Sequence, residues 1–81
     1  MKLIKVKNGY INANMIESYA VVEHETYSDI VAYPPTYTYD YDQYCLGTCS
    51  EASEAHQRLK GLAVWLTTNE SGIFDIMALT R

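Results

Sequence analysis

Thr48-Cys49-Ser50-Glu51-Ala52-Ser53-Glu54-Ala55-His56-Gln57-Arg58-Leu59-Lys60-Gly61-Leu62-Ala63-Val64-Trp65-Leu66 is the stretch whose periodicity defines the architecture. Ala52, Ala55, Leu59, Leu62 and Leu66 recur at spacings of three and four, with Ala63 flanking. That spacing draws one apolar stripe along a helix, fit to cover a sheet. Thr48 and Glu51 stand at the spacing of a capping box, in which a hydroxyl and a carboxylate satisfy reciprocal orphan amides. Ser50 is an alternative cap. Glu51 and Glu54 occupy the first turns, where the helix dipole favours anions, and Arg58 and Lys60 come later. The helix is expected to run to Thr67 or Thr68, because Ser71-Gly72 breaks it.

Upstream of the helix the period changes to two. Lys2 to Lys7 reads as a strand, with Ile4 and Val6 on one face and Lys5 and Lys7 on the other. Asn8-Gly9 is a hairpin signal, since both residues tolerate the positive φ of a type I′ turn. The chain should reverse there into Tyr10-Ile11-Asn12. Asn12-Ala13-Asn14 looks like a break or bulge. Met15 to Glu25 is the next expected strand, with Ile16, Ala20 and Val22 on one parity and Glu17, Tyr19, Glu23 and Glu25 on the other. Val21 departs from that pattern by setting an apolar side chain among the acids.

Tyr27 to Tyr33 continues as a strand, and Pro34-Pro35 stops it because proline lacks the ladder donor. Tyr37, Tyr39 and Tyr41 then alternate with Thr38, Asp40 and Asp42. A strand from Tyr39 to Leu46 follows, with Gly47 as its end. After the helix, Ile73 to Thr80 reads as a final strand. The expected order is β-β-β-β-β-α-β, in an α+β class with a small antiparallel sheet packed by one amphipathic helix. The whole chain, residues 1–81, makes a single domain, because 81 residues leave no room for two cores.

Charge is distributed unevenly. The net charge is −4, yet no lysine or arginine occurs from Asn8 to Gln57. That segment carries Glu17, Glu23, Glu25, Asp29, Asp40, Asp42, Glu51 and Glu54. The cations gather at Lys2, Lys5 and Lys7, and then at Arg58, Lys60 and Arg81. A one-signed segment repels nucleic acid and attracts basic surfaces. It also serves as a solvated face that keeps a small protein in solution. No run approaches the roughly 20 apolar residues of a membrane-spanning helix. The alternating N-terminus lacks the apolar block of a signal peptide, so the expected location is the cytoplasm.

Catalytic motifs are missing. There is no phosphate-binding glycine loop, no G-x-S-x-G elbow and no H-E-x-x-H helix, so the chain reads as a non-enzyme with no cofactor. His24 points away from Glu23 and Glu25 along a strand and could meet Asp29 or Asp40 across the sheet. His56 flanks the helix stripe as a boundary residue. Cys45 and Cys49 have a C-x-x-x-C spacing. Cys49 at a helix N-terminus would carry a stabilised thiolate, whereas two small apolar residues are the plainer reading. No metal site is expected, since a four-ligand cage would need both histidines to converge.

Eight tyrosines are the unusual feature of the composition. Tyr37, Tyr39 and Tyr41 line one strand face, with Tyr27 and Tyr33 as candidate neighbours. Aromatics pair well across strands, and tyrosine is also enriched at interface hot spots. A stacking platform for single-stranded nucleic acid needs basic residues, and this segment has acids instead. The candidate partner-binding set is therefore Tyr37, Tyr39, Asp40, Tyr41 and Asp42 with Glu23, Glu25 and Asp29, facing a basic protein. A second surface is Gly61, Val64, Trp65 and Thr68, opposite the helix stripe. Either the last strand or the loop before it covers Trp65, or this face forms an oligomer contact.

Gly9-Tyr10-Ile11-Asn12-Ala13-Asn14-Met15-Ile16-Glu17-Ser18 resembles a pattern in small bacterial and phage α+β proteins, in which a short Tyr-Ile-Asn strand precedes a longer strand opening with Ile. Tyr44-Cys45-Leu46-Gly47 followed by Ser50-Glu51-Ala52-Ser53-Glu54-Ala55 is similar to their strand-then-helix half. The resemblance covers about half of the chain and transfers no active-site residue. It implies a phage or mobile-element origin, where small acidic proteins act as inhibitors of nucleic-acid-handling machinery, anti-CRISPR proteins among them. Two functions thus stand as expectations. One is a non-catalytic inhibitor whose acidic, tyrosine-rich surface occupies a basic site on such a partner. The other is a homodimeric structural or small-ligand module built through a sheet edge or the Val64/Trp65 face.

Overall fold

The computed structural model describes residues 1–35 and 43–78. The elements are β1 (Lys2–Val6), β2 (Gly9–Asn12), a 3-10 turn (Ala13–Met15), β3 (Ser18–Glu23), β4 (Ser28–Tyr33), β5 (Tyr44–Cys49), α1 (Ala52–Leu66) and β6 (Gly72–Asp75). The class is α+β, and the order β-β-β-β-β-α-β is the one the periodicities give. The strands build two sheets rather than one, β2-β1-β6 and β3-β4-β5. Every pairing is antiparallel except β1 with β6, which is parallel. Tyr37, Tyr39, Asp40, Tyr41 and Asp42, and the end of the expected last strand at Thr80, lie outside the described residues.

The first reversal comes one residue earlier than Asn8-Gly9. Val6 pairs with Gly9, so Lys7-Asn8 forms the loop, and among the described residues only Gly72 has a positive φ. This register sets Ile4 opposite Ile11, which puts both on the core side. Asn12 then breaks the strand: its side chain accepts the Asn14 backbone N–H at 3.0 Å and caps the 3-10 turn. Met15 belongs to that turn and not to β3.

In β3 the core side carries Tyr19 and Val21, the parity that the sequence reads as the acidic one. Val21 pairs with Ile30 and Tyr19 with Ala32, and α1 lies over this face. Strand β4 runs down the middle of its sheet, so Ile30, Val31 and Ala32 are all buried. The Tyr19 hydroxyl is buried with no hydrogen-bond partner, and burial pushes its phenol above the ordinary value. Burial disfavours the phenolate in the fold, so stability falls as pH climbs past the ordinary phenol value, where the unfolded chain ionises first.

The capping box does not form. Thr48 remains in β5, opposite Asp29, and gives its hydroxyl proton to Asp29 Oδ1 at 2.7 Å. The helix begins after Glu51, whose side chain makes no capping bond. Strand β5 also runs through Gly47 instead of stopping there. A bulge falls where Ile30 faces Gly47 while Val31 faces Cys45. The extra residue turns Leu46 into the core beside Cys49 and leaves Cys45 outside. A Cβ at Gly47 would meet the Met77 side chain, whose flexible thioether would have to move aside.

Ala55 and Leu62 are the buried centre of the helix stripe, with Leu59 and Leu66 packed beside them and Ala63 exposed. The C-terminus of α1 is held by Lys2. Its Nζ donates to the carbonyls of Trp65 and Thr68, each at 2.7 Å, and lies 5.0 Å from the Trp65 ring centroid. A cation at this end complements the helix dipole and satisfies two terminal carbonyls at once. Trp65 packs against Phe74 of β6, with ring centroids 5.3 Å apart and the planes tilted by 32°, so the last strand partly covers it. Val64 and Gly61 stay exposed and Thr68 is half-buried. Strand β6 ends at Asp75, short of the expected length. The Asp75 carboxylate accepts the Met77 N–H at 3.2 Å, and its carbonyl accepts that of Ala78 at 3.2 Å. These bonds turn the chain out of extended form.

Candidate functional site

The candidate site is the acidic end of the β3-β4-β5 sheet. Antiparallel pairing of Glu23 with Ser28, and of Ser28 with Cys49, sets the end of β3, the start of β4 and the end of β5 in one row. The loop His24-Glu25-Thr26-Tyr27 closes the hairpin, with the His24 N–H donating to the Tyr27 carbonyl at 2.8 Å. The His24 and Tyr27 rings stack at 4.4 Å. Glu51 follows Cys49 by two residues and reaches the same end. Glu23, Glu25, Asp29 and Glu51 therefore stand at one end of the sheet, with Glu23 turned to the α1 face, where it meets His56, and Asp29 turned to the opposite face, where it meets Thr48.

Two histidines tie this rim together. His24 Nε2 lies 3.2 Å from Asp29 Oδ2, the cross-hairpin meeting that the alternation of β3 allows. Asp29 also accepts the Thr48 hydroxyl, so both of its oxygens are held. His56 Nε2 lies 3.1 Å from Glu23 Oε2 and links the helix to the hairpin. The sequence places His56 as a core boundary residue; in the structure it is exposed and faces this carboxylate. Glu25 is exposed and makes no ion pair among the described residues.

Glu23, Glu25 and Glu51 are exposed, and Thr48, which holds Asp29, also lines a groove between β1 and β5. Among the described residues no three His, Cys, Asp or Glu side chains form a group able to hold a metal ion. The arrangement presents fixed hydrogen-bond acceptors to cationic donors, and such charge-assisted contacts are the stronger kind.

The cysteines part company. Cys49 is buried and belongs to the core. Burial raises its thiol above the usual range, the Glu54 carboxylate adds to that, and Arg58 opposes it. It is not the activated thiolate that a helix N-terminus would create, because β5 holds it a turn short of α1. Cys45 is exposed, with its Sγ 3.6 Å from the Gly47 carbonyl. Alkylation with iodoacetamide at neutral pH is expected to modify Cys45 at least about tenfold faster than Cys49, read by peptide mass spectrometry. Equal rates would mean that Cys49 is not shielded.

The fold and this rim define a small α+β domain with an acidic, histidine-braced end. No protein-family model, no curated protein and no solved structure matches the chain. No helix among the described residues is long and apolar enough to cross a membrane.

Proposed function

We propose that the protein is a non-catalytic interaction protein that docks its acidic rim onto a basic surface of another protein. The placement of Glu23, Glu25, Asp29 and Glu51 at one end of the β3-β4-β5 sheet, on both of its faces, supports this reading. The same cation-free stretch contains Tyr37, Tyr39, Asp40, Tyr41 and Asp42, which the reading includes in the contact. A basic site made to hold nucleic acid offers the charge complement, and the acids argue against direct nucleic-acid binding. The resemblance of the Tyr-Ile-Asn segment to phage proteins supports an inhibitor of phage or mobile-element origin acting on such a partner.

Electrostatic steering makes the association rate salt-dependent. Tagged protein would first be used to capture a partner from a bacterial lysate, and the pair then titrated in isolation. The Glu23→Lys/Glu25→Lys variant is expected to slow association by about tenfold or more, and affinity should fall steadily as salt rises. Affinity unchanged between low and high salt would sink the proposal.

A further inference from the structure

The bulge in β5 has a second consequence, on the side facing β1. It opens a groove of about 590 Å³ between β5 and β1, inside the range of small-molecule sites. Val6, Cys45 and Met77 supply its apolar wall, with Leu46 beneath. Among the described residues no aromatic ring lines it, so that wall offers contacts to an aliphatic chain rather than a stacking surface. Met77 rests against Gly47 and is partly exposed, and its unbranched thioether can adjust to what lies beside it.

Lys5, Lys7 and the Asp75 carboxylate stand at the rim, so the two ammonium groups outnumber the one acid there. In a chain of net charge −4 they are two of only three cations before Arg58. Lys5 reaches Asp75 at 3.8 Å, a loose contact, and Lys7 has no ion-pair partner among the described residues. An apolar trough with an uncommitted ammonium at its mouth is complementary to a molecule that is aliphatic along its length and anionic at one end. We infer that this groove binds an aliphatic carboxylate, with the chain against Val6 and Met77 and the carboxylate at Lys7. The site contains none of the rim acids, although Thr48 in its lining donates to Asp29.

Decanoate is the probe, with decanol as the uncharged chain and acetate as the head alone. Methyl NMR of the methionines reads the position, since Met77 is in the groove while Met15 is exposed outside it. Decanoate is expected to shift the Met77 methyl saturably and leave Met15 unmoved, with decanol and acetate each binding at least about fivefold more weakly. Lys7→Glu should weaken decanoate by about tenfold. Lys60→Glu makes the same charge change on the helix surface and should leave binding unchanged. Both lysines are exposed, so either variant is expected to keep the fold, which the amide spectrum checks. No shift at Met77, equal shifts at Met15 and Met77, equal binding of decanol, or equal losses from the two lysine variants would each overturn the assignment.

Discussion

Leu62→Ala is expected to destabilise the protein by about 2–5 kcal/mol in urea unfolding, the largest effect of any single truncation on α1. Leu62 is fully buried at the centre of the helix stripe. Its removal takes apolar surface out of the core and leaves a cavity among Ile4, Ile30, Leu46 and Ile76, which are themselves wholly enclosed and poorly placed to collapse. A chain of this length has a total stability of about 4–12 kcal/mol, so the loss is a large share of the whole. Val64 is two residues away and 58% exposed. Val64→Ala should therefore change stability by no more than about 0.5 kcal/mol. Similar losses at both positions would mean that the helix does not lie on the sheets through this face.

Arg58→Met is expected to cost about 1.5–3 kcal/mol, for a different reason. The Arg58 side chain is 13% exposed and acts as a clamp between α1 and the turn after β6. Nη1 donates to the Ile76 carbonyl at 3.0 Å and to the Ala78 carbonyl at 2.7 Å. Nε and Nη2 both donate to Glu54 Oε2, at 3.1 and 2.9 Å. Methionine keeps much of the stem's apolar contact but leaves the two carbonyls without a donor. Amide exchange in residues 72–78 should accelerate more than exchange in β4, because the clamp secures the first segment and not the second. Glu54→Gln leaves the carbonyl bonds intact, and its carboxylate is partly solvated, so its cost should stay below about 1 kcal/mol. If the two substitutions cost the same, the stabilisation would reside in the exposed ion pair and not in the clamp.

The two effects also bear on the sites. Leu46 and Ile76 flank the groove and the β6 turn, so a core that loosens at Leu62 loosens the wall against which an aliphatic ligand would lie. The acidic rim is set by the hairpin register of β3 and β4 and by the His56–Glu23 contact. It should respond more to His56→Ala than to changes at the β6 end.

Parts of the site were legible in the chain and parts were not. His24 against Asp29 follows from strand alternation and a short hairpin, both local. The pairing of His56 with Glu23 spans 33 residues and could not be read from either neighbourhood. The capping box is thwarted by pairing: β5 carries Thr48 as extended backbone opposite Asp29, three residues before the position that caps the helix, so its hydroxyl oxygen is not placed to accept the first helical amides. The β3 faces were misread for a similar reason. Val21 looked like an exception among acids, yet packing under α1 selected the face with Tyr19 and Val21 as the inner one.

The sequence by itself determined the order of elements, the helix and its buried stripe, and the cation-free stretch. Each of these is written in periods of two or four residues, or in composition, and such short-range patterns survive without knowledge of the partner. Only the tertiary structure decided that the strands divide into two sheets, that β6 lies parallel to β1, and that Trp65 is partly covered by Phe74. It alone brought Lys2 to a helix end 63 residues away and set the lysine-rimmed groove beside the bulge. Contacts of that range are settled by which surfaces can be buried together, and a linear pattern carries no record of that choice.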